Sequence, residues 1–572
     1  MMMSRWFLFL AGLALLGGLG VWAWRCRPVP PVANPPPSWF VDVTEASGVD
    51  FLHDAGPTGT YFMPQIMGSG AAVFDFDGDG QLDLLLLNNG GPKGRPNQLY
   101  RQRPDGTFDN VSCGSGLDFA GHNMGVAVGD VNNDGRPDVL VTQYGGIRLL
   151  CNNGDGTFMD VTGAAGLVHS RWGTSAAFVD YDRDGWLDLV VVNYVNYDPS
   201  VPCRTYSSAM NFCAPKDFPG SVTNLYRNLG ATDGGKRPGV RFQDVTASSG
   251  FAAAQGPGLG VVCADFDGDG WPDIFVANDG KPNHLWINRR DGTFGEEAVP
   301  RGIAFNAMGQ AEANMGIALG DLDGDGLFDI FVTHLNVETN TLWKQGPRGL
   351  FRDRTVTRGL ARPARRGTGF GTVAVDFDQD GALDVAVVNG AVLRAPDAAP
   401  GGNFWSAYEQ TNQLWANDGK GTFVDRSDCE PALCGVAGVW RGLAYGDLDG
   451  DGAVDLLVTG IAGRARLYRN IAPNRGHWLL VQALDPAHGG RPAYGAEIRV
   501  EAAGRTWLSW INPGSSYLCS NDPRAHFGLG ALRQVEAIRV RWPDGSEQAF
   551  PGTPTDRVIV LRKAAPRVGA SN

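Results

Sequence analysis

The 572-residue sequence shows no clustered basic stripe and no nucleic-acid reader motif, which argues against nucleic acid as a partner. Its 80 glycines follow no collagen period, so they belong to tight turns. No catalytic constellation stands out. His477, His526, Ser515 and Ser516 are the residues a nucleophilic reading would use, yet nothing supplies an orienting acid, and polar turn positions are expected. Cysteine is sparse and odd in number, at nine. Cys203 with Cys213, and Cys429 with Cys434, lie close enough in sequence to be candidate local disulfides, which suits an oxidising compartment. Cys263, in the apolar run GVVCAD, reads as a buried small hydrophobe.

Residues 6–24, WFLFLAGLALLGGLGVWAW, lack any polar side chain. A helix of that length reaches about 28 Å, close to the hydrocarbon thickness of a bilayer. The following VWAWRC is a poor cleavage site, so residues 1–27 are expected to be an uncleaved helical anchor, with a cleaved signal peptide as the alternative. The protein is then extracytoplasmic, membrane-anchored through this segment or secreted if it is removed. PVPPVANPPP, within a 28–39 linker, reads as a stiff stalk.

The net charge of -13 is unevenly distributed. A nonapeptide typified by DFDGDGQLD recurs seven times and holds 27 aspartates, leaving 34 acidic residues against 48 lysines and arginines elsewhere. Acidity confined to the loops calls for bound counter-ions rather than a cationic partner. The first positions are Asp75, Asp130, Asp180, Asp265, Asp321, Asp376 and Asp447. The third are Asp77, Asn132, Asp182, Asp267, Asp323, Asp378 and Asp449, and the fifth are Asp79, Asp134, Asp184, Asp269, Asp325, Asp380 and Asp451. The ninth are Asp83, Asp138, Asp188, Asp273, Asp329, Asp384 and Asp455. With a free carbonyl from the seventh residue (Gln81, Arg136, Trp186, Trp271, Leu327, Ala382 or Ala453), such a loop can wrap one hard cation in oxygen.

Ca²⁺ is the expected ion, up to seven in all, because it accepts six to eight oxygens in irregular geometry. The loops contain no thiol or imidazole, so zinc and copper are poor candidates. An EF-hand needs a glutamate at position 12, where this chain has Leu86, Val141, Val191, Val276, Val332, Val387 and Val458. A plain Asp/Gly surface turn accounts for one copy but not for seven in matched positions. Asn132 keeps an oxygen donor, so its site is expected to be weaker. The ions read as structural staples of hairpins rather than catalytic metals.

The loops are separated by 55, 50, 85, 56, 55 and 71 residues, the signature of a repeat fold. A small apolar stretch such as GVAVGD precedes each loop and a β-branched run such as DVLVTQ follows. An L-Y/W strand, a turn, and an F-x-D-V-T strand (FVDVT at 40, FMDVT at 158, FQDVT at 242) complete the unit. Four strands in each of seven units predict an all-β, seven-bladed β-propeller over residues 40–470, monomeric, with an open solenoid as the alternative. Insertions at 195–223, 229–240, 391–411 and 428–437 enlarge the third and sixth units, where binding specificity is expected.

These repeats resemble the FG-GAP (VCBS-type) repeats of integrin α-subunit propellers, and the resemblance implies Ca²⁺ in the hairpin loops of a seven-bladed ring. Residues 471–565 read as a separate small β-rich domain. The stretches GHWL, YGAEIRV, GSSYL, HFGLG and VRWPDG resemble, in order, the ASPIC/UnbV domain that accompanies such propellers in the cartilage acidic protein family. That resemblance brings no reaction with it.

The strand before each loop should line the central channel. Its upstream ends place His122, Arg171, Trp172, Asn314 and Arg441, with Gln65, Asn123 and Trp440, where they ring a channel mouth as candidate ligand-binding residues or pack the ring. Two functions compete. One is a non-catalytic adhesion or interaction module for a protein or glycan. The other is a polysaccharide hydrolase or lyase with its site at the channel mouth, which requires these residues to converge around a pocket with an acid among them. A supporting role in secretion or assembly through the C-terminal domain is a third reading.

Overall fold

The structure is a computed structural model that describes residues 36–204, 210–231, 239–361, 363, 366–394 and 403–564. From residue 38 onward the described residues form one compact unit. The expected N-terminal helix, and all of the linker up to residue 35, lie outside the described residues. Among the described residues, no helix is long and apolar enough to cross a membrane.

Seven antiparallel sheets are built alike. In the first blade, Ala71–Phe74, Asp83–Leu86, Gln98–Gln102 and Phe108–Asn110 follow one another from inside to outside. The innermost strands of the next six blades are Asn123–Gly129, Gly173–Val179, Gly258–Ala264, Ile317–Gly320, Gly369–Val375 and Trp440–Gly446. Each touches the next, and the seventh touches the first, so the ring is closed. Near the axis these backbones crowd one another, which is why the strands are rich in glycine and alanine. A β-carbon on Gly316 would lie 1.9 Å from the Phe370 carbonyl oxygen of the neighbouring blade.

The seventh blade is completed by the first described strand of the chain. Phe40–Asp42 pairs antiparallel with Arg466–Asn470, placing Phe40 opposite Asn470 and Asp42 opposite Tyr468. The FVDVT marker at residue 40 therefore belongs to the last blade rather than the first.

The C-terminal region packs directly on the propeller. It has two sheets of its own. One is built on Trp478–Asp485, which pairs with Arg491–Pro492, Ala525–Gly528 and, in parallel, Arg557–Arg562. The other runs in the order Arg505–Trp510, Glu497–Ala502, Ala537–Arg541, Glu547–Pro551. Its core is nonetheless continuous with that of the second and third blades, where Leu140, Phe178 and Leu189 join Val481, Ile498 and Trp542 in one buried cluster.

It also sends residues 514–522 along the propeller axis. Ser516 exchanges backbone hydrogen bonds with Ile317, and its hydroxyl accepts from Thr372 N–H at 3.1 Å. Leu518 N–H donates to Ser175 Oγ and its carbonyl accepts from Val126. Ser520 pairs with Ala72, and Asp522 N–H donates to the Tyr445 carbonyl. Six blades thus hydrogen-bond this plug, and the fourth packs against it. The inner edges of a propeller carry backbone groups that need partners, and the plug supplies them.

The other mouth of the channel is covered as well. Phe212, from the insertion in the third unit, stacks on Trp405 of the insertion in the sixth, with ring centroids 6.0 Å apart. Tyr61 contacts both insertions, through Phe212 and Phe404. These rings share one buried cluster with Met124, Trp172, Leu259, Met315, Phe370 and the plug residues Tyr517 and Leu518. Cys203 and Cys213 form a disulfide that ties down the first insertion, whereas Cys429 and Cys434 are not bridged to each other.

Candidate metal centres

Each aspartate loop joins the innermost strand of a blade to the second. Its conformation is held by its own carboxylates. The first aspartate accepts the N–H of the sixth-position glycine in all seven loops, at 2.7–3.1 Å. Those glycines have φ between 81° and 97°, a left-handed conformation that a β-carbon would strain. The fifth aspartate accepts the N–H of the seventh residue, Gln81 through Ala453, at 2.8–3.1 Å.

The ninth aspartate is deeply buried, at most 3% exposed in every blade. One of its oxygens accepts from the N–H of the loop's second residue, and the other from a residue near the end of the third strand. These fourteen bonds span 2.7–3.3 Å. That third-strand residue also reaches sideways. The side-chain amides of Asn152, Asn228, Asn288, Asn417, Asn470 and Gln102 donate to the second-residue carbonyl of the preceding blade's loop, at 2.7–2.9 Å. Only in the fifth blade does the equivalent Gln345 stay within its own loop, donating to Phe328. Neighbouring loops are thereby clasped around the ring.

The carboxylates converge. In the first, third and sixth blades, one oxygen each from the first, third and ninth aspartates lies within 4.8 Å of the others. In the fourth and fifth blades, the first, third and fifth aspartates do so. These clusters can hold metal ions. Three loop oxygens, Asp180 Oδ1, Asp378 Oδ1 and Asp447 Oδ1, are buried without a hydrogen-bond partner. Burial pushes Asp83 and Asp329 up to about 8, Asp180 and Asp447 to about 7, and Asp130 and Asp321 to about 6. Unpaired buried carboxylate oxygens in an all-oxygen donor set fit a hard divalent cation.

Protein cations brace the outer rims. Arg101 contacts Asp77 at 2.7 Å and Asp79 at 3.2 Å, Arg227 contacts Asp182 and Asp184, Lys344 lies 2.7 Å from both Asp323 and Asp325, and Arg469 contacts Asp449. Sequence reasoning passed over these residues. Their signal was present: each directly follows the aromatic residue of the third strand, as in LYR and LWK. In the second loop, Arg136 pairs with Asp134 of its own loop.

The residues expected at a channel mouth serve packing and hydrogen bonding. His122 Nδ1 is 3.1 Å from the Asn89 carbonyl, and its ring lies against Phe62. Arg171 donates to Asn224 Oδ1 at 3.1 Å, and Asn314 donates to the Asn278 and Glu312 carbonyls. Trp172 is 3% exposed among Tyr144, Tyr194 and Tyr197. Arg441 is wholly buried, donates to the Ile66, Gly390, Trp440 and Ala391 carbonyls, and lies 3.8 Å over the Phe370 ring. Burial lowers its pKa to about 9. Gln65 donates to the Ala55 and Pro57 carbonyls, Asn123 to Asn88 and Asn97, and Trp440 to Val436. None of these hydrogen bonds joins the five candidates to a common acid.

The C-terminal polar residues are likewise engaged. His477 pairs with Asp556 at 2.7 Å, His526 Nε2 lies 2.8 Å from the Gly452 carbonyl, Ser515 accepts from Asn521, and Ser516 accepts from Thr372.

Among known proteins, the chain matches the FG-GAP-like repeat family over residues 75–141, 130–191, 265–332, 321–387 and 403–493, and ASPIC and UnbV over residues 487–568. Cartilage acidic protein 1 of Homo sapiens is 28% identical over 316 residues, covering 54% of this chain and 44% of that protein. The Xenopus tropicalis protein of the same name is 27% identical over 315 residues, with the same shares. The match spans less than half the length of these relatives. A solved Agrocybe aegerita lectin, described as recognising non-reducing terminal N-acetylglucosamine, covers 65% of this chain and 85% of its own at 16% identity and a TM-score of 0.37. That overall likeness is too loose to argue from.

Proposed function

Because the chain belongs to the FG-GAP-like repeat family, matched over more than half of its length, we propose that it is an extracytoplasmic, calcium-binding propeller acting as a non-catalytic interaction module for a protein or glycan. The observation that carries this reading is the aspartate loop. It packs up to four carboxylates together, several buried, with oxygens left unpaired in three blades. Ca²⁺ satisfies such a set better than Mg²⁺, which demands a stricter octahedron, and better than zinc, which favours sulfur and nitrogen.

The lid and the plug support an interaction role over a polysaccharide hydrolase or lyase. Aromatic rings cover the lidded mouth, residues 514–522 fill the axis, and the polar residues around the lid are used in packing and hydrogen bonding. The Cys203–Cys213 disulfide supports an oxidising compartment, where calcium is abundant. Elemental analysis of the purified chain after dialysis against calcium-containing buffer tests the metal: bound calcium is expected, and none would end the reading. Glycan-array and pull-down assays with and without calcium then test the partner.

A further inference from the structure

The C-terminal region grips the loops at one recurring place. Arg491 Nη2 donates to the Gly185 carbonyl at 3.1 Å. Trp507 Nε1 donates to the Gly381 carbonyl at 3.1 Å, joined there by Arg505. His526 Nε2 lies 2.8 Å from the Gly452 carbonyl. All three acceptors are the sixth-position glycines, in the third, sixth and seventh blades. The N–H of each is held by the first aspartate of the same loop. One face of the residue thus answers to the carboxylate cluster, and the other carries the C-terminal anchor.

The plug is held between those anchors: Arg491 and Trp507 precede it in the chain, and the strand Ala525–Gly528, which contains His526, follows residues 514–522 after Pro523 and Arg524. Its backbone is strained, with φ of 71° at Ser516 and 58° at Leu518, a conformation that persists only where surroundings enforce it.

We propose that cation loading of the third, sixth and seventh blades and seating of the channel plug form one coupled equilibrium, the C-terminal region sensing the loops through their sixth-position carbonyls. This rests on the calcium reading above. With a cation removed, crowded carboxylates repel, the glycine peptide loses its fixed orientation, and the anchor bond goes with it. Coupling of this kind is reciprocal, so the anchors in turn raise cation affinity in those three blades. The first blade receives no such anchor from the hydrogen bonds described, and serves as an internal control.

Hydrogen exchange of the full chain tests the proposal, with elemental analysis run alongside. Amides of residues 516–520 are expected to exchange at least about tenfold faster in EDTA than in millimolar calcium, in line with typical coupling factors. The variant R491M/R505M/W507F/H526F, which removes all four donors while keeping bulk, is expected to weaken about three calcium sites several-fold and to leave the first-blade site unchanged. Faster exchange in loop residues 447–455 with unchanged exchange in the plug would overturn the coupling and spare the calcium reading. Uniform loss of affinity at all sites would overturn it too. Absence of bound calcium would remove both.

Discussion

The hydroxyl of Tyr517 donates to the carbonyl of Met67 at 3.0 Å, across 450 residues of chain. The donor belongs to the plug and the acceptor to the short helix before the first innermost strand, so this contact ties the C-terminal region to the lidded end of the channel. Tyr517 is fully buried, with its ring edge-on to Phe370. Tyr517→Phe removes one hydrogen bond and should cost about 1 kcal/mol. Tyr517→Ala also leaves a cavity and should cost about 3–5 kcal/mol. Equilibrium denaturation of both variants measures this, and a wild-type midpoint for the alanine variant would show that the channel does not depend on its plug.

Calcium removal should lower the melting midpoint. A ligand that binds only the folded chain at a hundred times its dissociation constant adds about 2.7 kcal/mol per site. Scanning calorimetry in excess EDTA and in millimolar Ca²⁺ gives the comparison, and equal midpoints would refute the view of the ions as staples.

The clasp between blades can be cut at one residue. Asn470 donates to Phe377 and Val454 carbonyls, and its N–H is held by Asp455. Asn470→Ala leaves two buried carbonyls without that donor and should cost about 1–3 kcal/mol. Because Asn470 and Asp455 share a network, Asp455→Ala should be non-additive with it in a double-mutant cycle. Strict additivity would show that the two act independently.

Near the axis, Gly316→Ala should be among the most damaging small substitutions, since its new methyl would overlap the Phe370 carbonyl. Loss of soluble protein, or a midpoint lowered by well over 5 °C, is expected; a neutral result would mean that adjacent inner strands separate freely.

Acid and base act on the lid through Asp279. Tyr194 donates to this carboxyl at 2.5 Å, which favours the charged form, yet burial, helped by the nearby Glu338 carboxylate, raises its pKa to about 7. Unfolded, it ionises near 3.9. Between these values the folded chain holds a proton that the unfolded chain has lost, so this group's stability is fully present below about pH 4 and disappears as the pH rises towards 7. Asp279→Asn removes the titration. The midpoint of the wild type relative to this variant should fall between pH 4 and 7, and parallel profiles would contradict the assignment.

The blades were legible from sequence because each is a local unit repeated with its turn, its β-branched run and its aromatic strand. The loops were legible because DxDxDGxxD gathers carboxylates at one fixed spacing seven times, Asn132 being the single exception, which a chance surface turn does not do. The plug was not. GSSYLCS has no periodicity, and its partners Ile317, Thr372, Ser175 and Val126 are scattered over four blades. The lid was half legible: the insertions were visible as interruptions, but the stacking of Phe212 on Trp405 depends on ring closure, which no local pattern reports. The ring was expected, but its register of closure escaped, since FVD at residue 40 looks like the start of a first blade and serves as the end of the last.

That last arrangement sets an order of events during synthesis. A ribosome making this chain has emitted the strand at residues 40–42 long before its neighbour at 466–470 exists, so the earliest strand must wait, unpaired on that edge, for more than four hundred residues. The peptide that fills the central hole arrives later still. A nascent chain stalled before residue 514 has an unfilled ring, and premature termination there should yield a species that chaperones retain and proteases find.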